Sequence, residues 1–167
     1  GDFRPAMNPH RRDEVFLRAL ADPGITAILE RLVGGPVSAI QSQLFYCHPG
    51  TPGFTEHQDN HYVEARREVF ASAWVALEDV GPENGGLYAL PGSHREPLLA
   101  VEPVPGVREH PKQAFNAIRQ RTAVPPGYAR VDLTVPRGAV VFIHGHLIHG
   151  SHDNRTADRS RRSLLMT

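Results

Sequence analysis

His57-Gln58-Asp59 sets an imidazole and a carboxylate two residues apart. At the end of a strand, residues i and i+2 point to the same face, so both side chains can converge on one ion. A pair is a weak signal, because an HxD triplet arises by accident more often than not. A third ligand must come from elsewhere, and the C-terminal region offers His144, His146, His149 and His152. Two neutral nitrogens and one carboxylate on one side of a metal, with the other positions open, suit non-haem iron(II) oxygenases. Three protein ligands plus water also suit catalytic zinc. Ligand types alone leave iron and zinc both open.

The surroundings favour iron. Arg161 and Ser163 stand two apart at the start of an apolar C-terminal segment, about a dozen residues beyond the candidate histidines. A guanidinium fork with a neighbouring hydroxyl is a receptor for a carboxylate. A dicarboxylate could therefore touch the metal at one end and Arg161 at the other, a task that a zinc hydrolase would not set. Arg162 faces the other way and reads as a solvated edge.

Two kinds of element must position these residues. Asn8-Pro9 and Asp22-Pro23 each read as an N-cap followed by proline in the first helical position. Behind them, Val15, Phe16, Ala19 and Leu20, then Ile25, Ile28, Leu29 and Leu32, follow amphipathic helical spacing. Gly34-Gly35-Pro36 ends the second helix. From there the pattern changes to short apolar or alternating segments at 38–46, 70–78, 86–90, 129–135, 139–143 and 161–167, punctuated by Pro-Gly, Asn-Gly-Gly and Pro-Arg-Gly. Many short strands with tight turns predict an antiparallel sandwich or jelly roll. The stretch 95–128 lacks a period and is expected to be a long loop over the pocket. The expectation is one domain over 1–167, mainly β with flanking α-helices, helical at about 8–34 and β from about 38.

Composition narrows the function classes. Lys plus Arg and Asp plus Glu number 18 each, so the formal net charge is zero and a dedicated nucleic-acid or anionic-membrane binder is disfavoured. Cys47, the sole cysteine, cannot form an internal disulfide. With no leader pattern and no apolar run of membrane-spanning length, a soluble protein of the reducing cytoplasm is expected, as monomer or homodimer.

Three segments in order, IQSQLFYCHPGTPGFTEHQDNHY, ASAWVALEDVGPENGGLYALPGSHRE and GAVVFIHGHLIHGSHDNRTADRSRRSLLMT, resemble the phytanoyl-CoA dioxygenase-like branch of the 2-oxoglutarate oxygenases. The resemblance runs from about Ala39 to the C-terminus. It implies a double-stranded β-helix, the cupin-like jelly roll, using Fe(II), 2-oxoglutarate and O2 to hydroxylate a small-molecule substrate. His57 and Asp59 match the first two iron ligands. His149 matches the third, because the family's distal histidine sits in a His-Gly-Ser setting, here His149-Gly150-Ser151. Arg161 matches the residue that pairs with the distal carboxylate of 2-oxoglutarate, supported by Ser163 and Ser151, and Trp74 matches a cosubstrate-side tryptophan. Gln41 and Gln43 fall on a pocket-lining strand, where two unpaired buried amides would be costly without a ligand. By position, Asn60 and His61 are expected to shape the pocket mouth. Asn84-Gly85-Gly86, Pro91-Gly92-Ser93-His94 and Gly138 match turns of the family.

One departure concerns the cosubstrate. Relatives often carry a lysine after the pocket-lining strand, and Cys47 holds that place here, so anchoring should rest on Arg161 and polar donors. The chain also starts late for the family, and further flanking segments are expected. Asp59 disfavours the halogenases, which replace the carboxylate ligand with a small residue. The alternative from another class is a non-catalytic jelly-roll protein that binds a small molecule or metal.

Overall fold

The computed structural model describes residues 5–63, 70–105 and 120–167. Strand β1 (Ala6–Met7) leads into a 3-10 turn at Pro9–Arg11, and helices α1 (Glu14–Leu20) and α2 (Pro23–Val33) follow. The second helix starts where the sequence places it: the Asp22 carboxylate accepts from the backbone N–H groups of Gly24 and Ile25 at 2.9 and 3.0 Å. It ends at Gly34, whose φ of 74° is left-handed. The first helix starts later than expected. Asn8 is already tied to the next strand, donating to the Ser42 carbonyl at 2.7 Å and accepting from the Ser42 N–H at 3.3 Å. It sits at φ 51° and caps nothing, and α1 waits for Asp13, whose side chain accepts from the Val15 N–H.

The β core begins with β2 (Ser42–Cys47) and β3 (Ala71–Ala76), followed by β4 (Leu87–Ala89). After it come β5 (Val101–Pro103), β6 (Gln120–Thr122), β7 (Val131–Asp132), β8 (Val140–His144), β9 (His149–Ser151) and β10 (Arg161–Met166). One antiparallel sheet has the order β1-β2-β10-β3-β8, and a smaller one has the order β7-β4-β9. All six expected strand segments contain a strand. The loop expected over 95–128 is in part a hairpin, because β5 and β6 pair from Val101↔Thr122 to Pro103↔Gln120. Residues 106–119 of that stretch lie outside the described residues.

Period-two alternation sorts the larger sheet into two faces. Ala73, Leu164 and Met166 point outward and are covered by Phe16, Ala19 and Leu20 of α1 and Ile25 and Leu29 of α2. Trp74, Ala76 and Ile143 point inward and meet Leu87 of the smaller sheet and Val80. The result is the jelly roll anticipated from the strand pattern, with the helices closing one face and a cavity left between the sheets.

Candidate metal centre

His57 and His149 face each other as an isolated antiparallel bridge, His57 N–H to His149 carbonyl at 2.9 Å and His149 N–H to His57 carbonyl at 3.1 Å. That pairing brings the two rings to 4.3 Å between centroids. The HxD segment is therefore one bridged residue followed by a 3-10 turn at Asp59–His61, rather than the end of a regular strand. The consequence for the side chains is the one expected of a strand, since His57 and Asp59 both reach the cavity while Gln58 points away. Asp59 Oδ1 lies 3.6 Å from His57 Nε2 and 3.8 Å from His149 Nε2, and the three ligand atoms all fall within 4.8 Å of one another.

Both rings are held the same way. His57 Nδ1 pairs with the Thr55 carbonyl at 2.7 Å and His149 Nδ1 with the Leu147 carbonyl at 2.9 Å, each two residues upstream. A carbonyl only accepts, so each Nδ1 carries a proton and each Nε2 is the nitrogen turned toward Asp59. Burial and the neighbouring His149 push the His57 pKa down to about 4, which keeps the ring neutral at physiological pH. A neutral ring is what a metal requires of a histidine ligand. Among the described residues, His57, Asp59 and His149 are the one such group. His144 and His146 instead hold the turn before β9, with the His146 N–H donating to His144 Nδ1 and His146 Nδ1 against the Glu96 carbonyl. His152 pairs with Asp132.

The cavity beside this triad measures about 390 Å³ and is lined by both sheets. Arg161 sits on its wall, 4 % exposed, with Nε donating to the Gly85 carbonyl and Nη1 to Ser163 Oγ, both at 3.0 Å. No carboxylate among the described residues forms an ion pair with it, and burial pulls its pKa below the usual guanidinium value. A buried cation without a carboxylate partner is costly, which makes Arg161 a candidate receptor for an anion. Arg162, one residue on, does have a partner, Glu78, on the surface.

Other expected pocket residues divide. Gln41, Gln43, Trp74 and Ser151 line the cavity. Ser163 does not; it is fully buried behind Arg161 as the guanidinium's brace. The structure does not bring Asn60 and His61 to the wall, because the turn rotates them away. His61 Nε2 bonds the Leu99 carbonyl at 2.7 Å, and Asn60 packs against Gly145. Tyr62 and Val63 take their place. Cys47 is buried opposite Arg161 in the strand register, its thiol pKa pushed up by burial, so it adds no charge to the receptor.

Sequence reasoning passed over two features. Phe45, Leu165 and Thr167 line the cavity, and the same two-residue step that relates Gln41 to Gln43 and Arg161 to Ser163 would have found them. Ser93 of the Pro-Gly-Ser-His turn is a brace for the metal strand: its Oγ accepts from the Ile148 N–H at 2.8 Å, next to His149. Gly85 and Gly138, at φ 89° and 86°, make the left-handed turns their sequence contexts predict.

In this jelly roll two histidines and one carboxylate, a group of the kind that holds a metal ion, converge on the same cavity as a buried arginine without a carboxylate partner among the described residues. The chain belongs to the Phytanoyl-CoA dioxygenase (PhyH) family, whose model matches residues 1–163. It is 31% identical over 151 residues to the peroxisomal phytanoyl-CoA dioxygenase of Rattus norvegicus, covering 87% of this chain and 44% of that protein. To the ectoine dioxygenase of Stutzerimonas stutzeri (strain A1501) it is 29% identical over 180 residues, covering 99% and 57%. The chain thus spans about half the length of the curated relatives it matches. Among solved structures, the epimerase SnoN, in complex with Fe3+, alpha ketoglutarate and nogalamycin RO, superposes with a TM-score of 0.78 at 23% identity, covering 97% of this chain and 61% of that one. AviO1 from Streptomyces viridochromogenes Tue57 gives 0.66 at 25% identity, covering 98% and 65%. Among the described residues, no helix is long and apolar enough to cross a membrane.

Proposed function

We propose that this chain carries the active site of an Fe(II)- and 2-oxoglutarate-dependent dioxygenase that hydroxylates, or otherwise oxidises, an unactivated C–H bond of a small molecule. The single observation that carries this reading is the placing of the His57–Asp59–His149 face and the unpaired Arg161 on one cavity. The donor set fits the metal: two neutral imidazoles with fixed lone pairs and one carboxylate, leaving other coordination positions open. Arg161 fits the cosubstrate, since its unmatched charge requires a carboxylate and its planar fork binds one in two places. When bound, iron(II) and 2-oxoglutarate supply oxygen activation, the cosubstrate leaving as succinate and CO2 while one oxygen atom enters the substrate.

The chain's own residues orient and exclude. The Thr55 and Leu147 carbonyls fix the two ligand rings, and the Gly85 carbonyl and Ser163 hydroxyl fix the guanidinium. Ser151, whose Oγ accepts from the Phe54 N–H, and Gln43 supply polar edges on the same cavity. Phe45, Phe54, Phe70, Trp74, Ile143 and Leu165 make much of the remaining wall apolar, which limits water at the reacting centre, while Gln41 and Thr167 leave polar groups for a substrate. Asp59 is the only carboxylate among the described cavity residues, so a zinc hydrolase would lack a separate general base here.

The test is succinate release by the purified protein with Fe(II), 2-oxoglutarate and O2, with and without a panel of small substrates. Wild type should consume 2-oxoglutarate slowly even without substrate, and Asp59→Ala should not. Undiminished turnover in Asp59→Ala, or activity that zinc restores and iron does not, would overturn the assignment.

A further inference from the structure

Gln58, the residue between the two ligands of the HxD turn, has no part in the chemistry above. Its side chain is nevertheless completely buried and uses its amide fully. Oε1 accepts from the Leu99 N–H at 2.8 Å, while Nε2 donates to the Pro97 carbonyl at 3.0 Å and to the His146 carbonyl at 2.9 Å. Three backbone segments meet on one amide: its own turn, the 97–99 stretch, and the turn that delivers His149.

The geometry gives this amide a specific place. The third ligand is fastened to the first by the His57–His149 bridge, which fixes one end of the ligand face. Asp59 lies past the bridge, at the start of the 3-10 turn, where no strand ladder holds it. Gln58 is adjacent to Asp59, and its bond to the His146 carbonyl reaches the peptide next to Leu147, the residue whose carbonyl orients the His149 ring. The backbone bond from the Asn60 N–H to the Gly145 carbonyl at 3.0 Å closes the same seam from the other side of Asp59. Backbone alternation makes the device possible, because turning Gln58 inward to the protein turns His57 and Asp59 outward to the cavity.

We propose that Gln58 is a positioning residue for the metal, an amide clamp that sets the distance between the Asp59 carboxylate and the His149 imidazole and so sets the affinity of the site. The inference rests on the three-ligand reading given under the proposed function. Groups that orient metal ligands typically contribute about 10–100-fold in metal affinity. Gln58→Met keeps the length and removes all three hydrogen bonds. Gln58→Glu keeps the acceptor for Leu99 but sets a carboxylate against two carbonyls.

The experiment titrates the full-length chain with Co(II) under anaerobic conditions, reading the visible absorption of the bound ion. Wild type, Gln58→Met, Gln58→Glu, His149→Ala and Met166→Ala are compared, the last being a core variant on the helix-covered face that controls for lost stability. Both Gln58 variants should bind Co(II) about 10–100-fold more weakly with an altered spectrum, while Met166→Ala keeps wild-type affinity and spectrum. Should Gln58→Met fail to fold, Gln58→Glu decides alone. Wild-type affinity and spectrum in a folded Gln58 variant, an equal loss in Met166→Ala, or loss of folding in both Gln58 variants would each overturn the clamp. If wild type binds no Co(II), or His149→Ala binds it unchanged, the three-ligand reading itself fails.

Discussion

Replacing Arg161 with methionine separates a cosubstrate receptor from a structural arginine, because the two roles predict opposite effects. In the protein without 2-oxoglutarate the guanidinium is buried, has no carboxylate ion-pair partner among the described residues, and donates to the Gly85 carbonyl and to Ser163 Oγ. Removing it forfeits those bonds, at about 1.5–3 kcal/mol each because the donor is charged, and relieves a buried charge whose penalty is likewise of the order of several kcal/mol. The two nearly cancel, so the stability of the free variant should stay within about 2 kcal/mol of wild type. Binding of 2-oxoglutarate should fall sharply. Hydrogen bonds to charged groups contribute about 1.5–3 kcal/mol each, so losing the pair weakens binding by roughly 3 kcal/mol, about a hundredfold. In a thermal assay with ligand at 100 times the wild-type Kd, wild type gains about 2.7 kcal/mol and the variant about 0.4. For a chain of this size that is a rise of roughly 5–10 °C against about 1 °C. Metal should be present in both samples, since the cosubstrate also contacts it. Equal shifts in the two proteins, or a loss of more than about 3 kcal/mol in the free variant, would refute the receptor argument.

The neighbouring Arg162→Ala removes an exposed ion pair with Glu78 and should cost less than about 1 kcal/mol in urea unfolding, with the KM for 2-oxoglutarate unchanged. A methyl group at Gly150 would lie 2.4 Å from the Tyr88 hydroxyl and 2.6 Å from the Phe54 carbonyl, so Gly150→Ala should destabilise by about 1–3 kcal/mol and shift the metal strand enough to weaken metal binding. Acid should destabilise the metal-free protein through His57. Its folded pKa of about 4 lies below the ordinary 6.5, so between those values the unfolded chain holds the extra proton. Stability is therefore intact above about pH 6.5 and is lost progressively toward pH 4, by on the order of 2–3 kcal/mol. A urea series from pH 7.5 to 4 reads this directly, and His57→Asn should flatten that part of the curve.

Local chemistry was legible wherever it acts locally. Asp22-Pro23 and Gly34 bound a helix because the cap bonds lie within a few residues of each other. The six expected strand segments follow from alternation that one chain segment displays by itself. Asn8-Pro9 carries the same cap signature and fails, because Ser42, far along the chain, claims the asparagine first. Strand β9 was invisible for a related reason: His149-Gly150-Ser151 has no strand propensity, and it is extended because Leu87, Tyr88 and Ala89 pair with it. At the site, residue type and two-residue spacing picked out His57, Asp59 and Arg161, the family resemblance chose His149 among four histidines, and the structure gathers all four on one cavity. Type and spacing could not tell that Asp59 opens a 3-10 turn, and so misplaced Asn60 and His61, whose directions depend on that turn. Nor could spacing reveal that Ser163 and Gln58 serve the site from behind.

The His57–His149 bridge also has a bearing on how the protein is made. Its two halves lie about ninety residues apart in the chain, and β10 must dock between β2 and β3 before the roll is closed. Contacts of such long range are the slowest to form. The side chains of His57, Asp59 and His149 therefore cannot meet until His149 has been made and has folded back onto the His57 segment. Metal uptake should lag behind collapse and keep time with the pairing of β9 on β4 and on His57, so that a half-built molecule has no full ligand set to offer an ion.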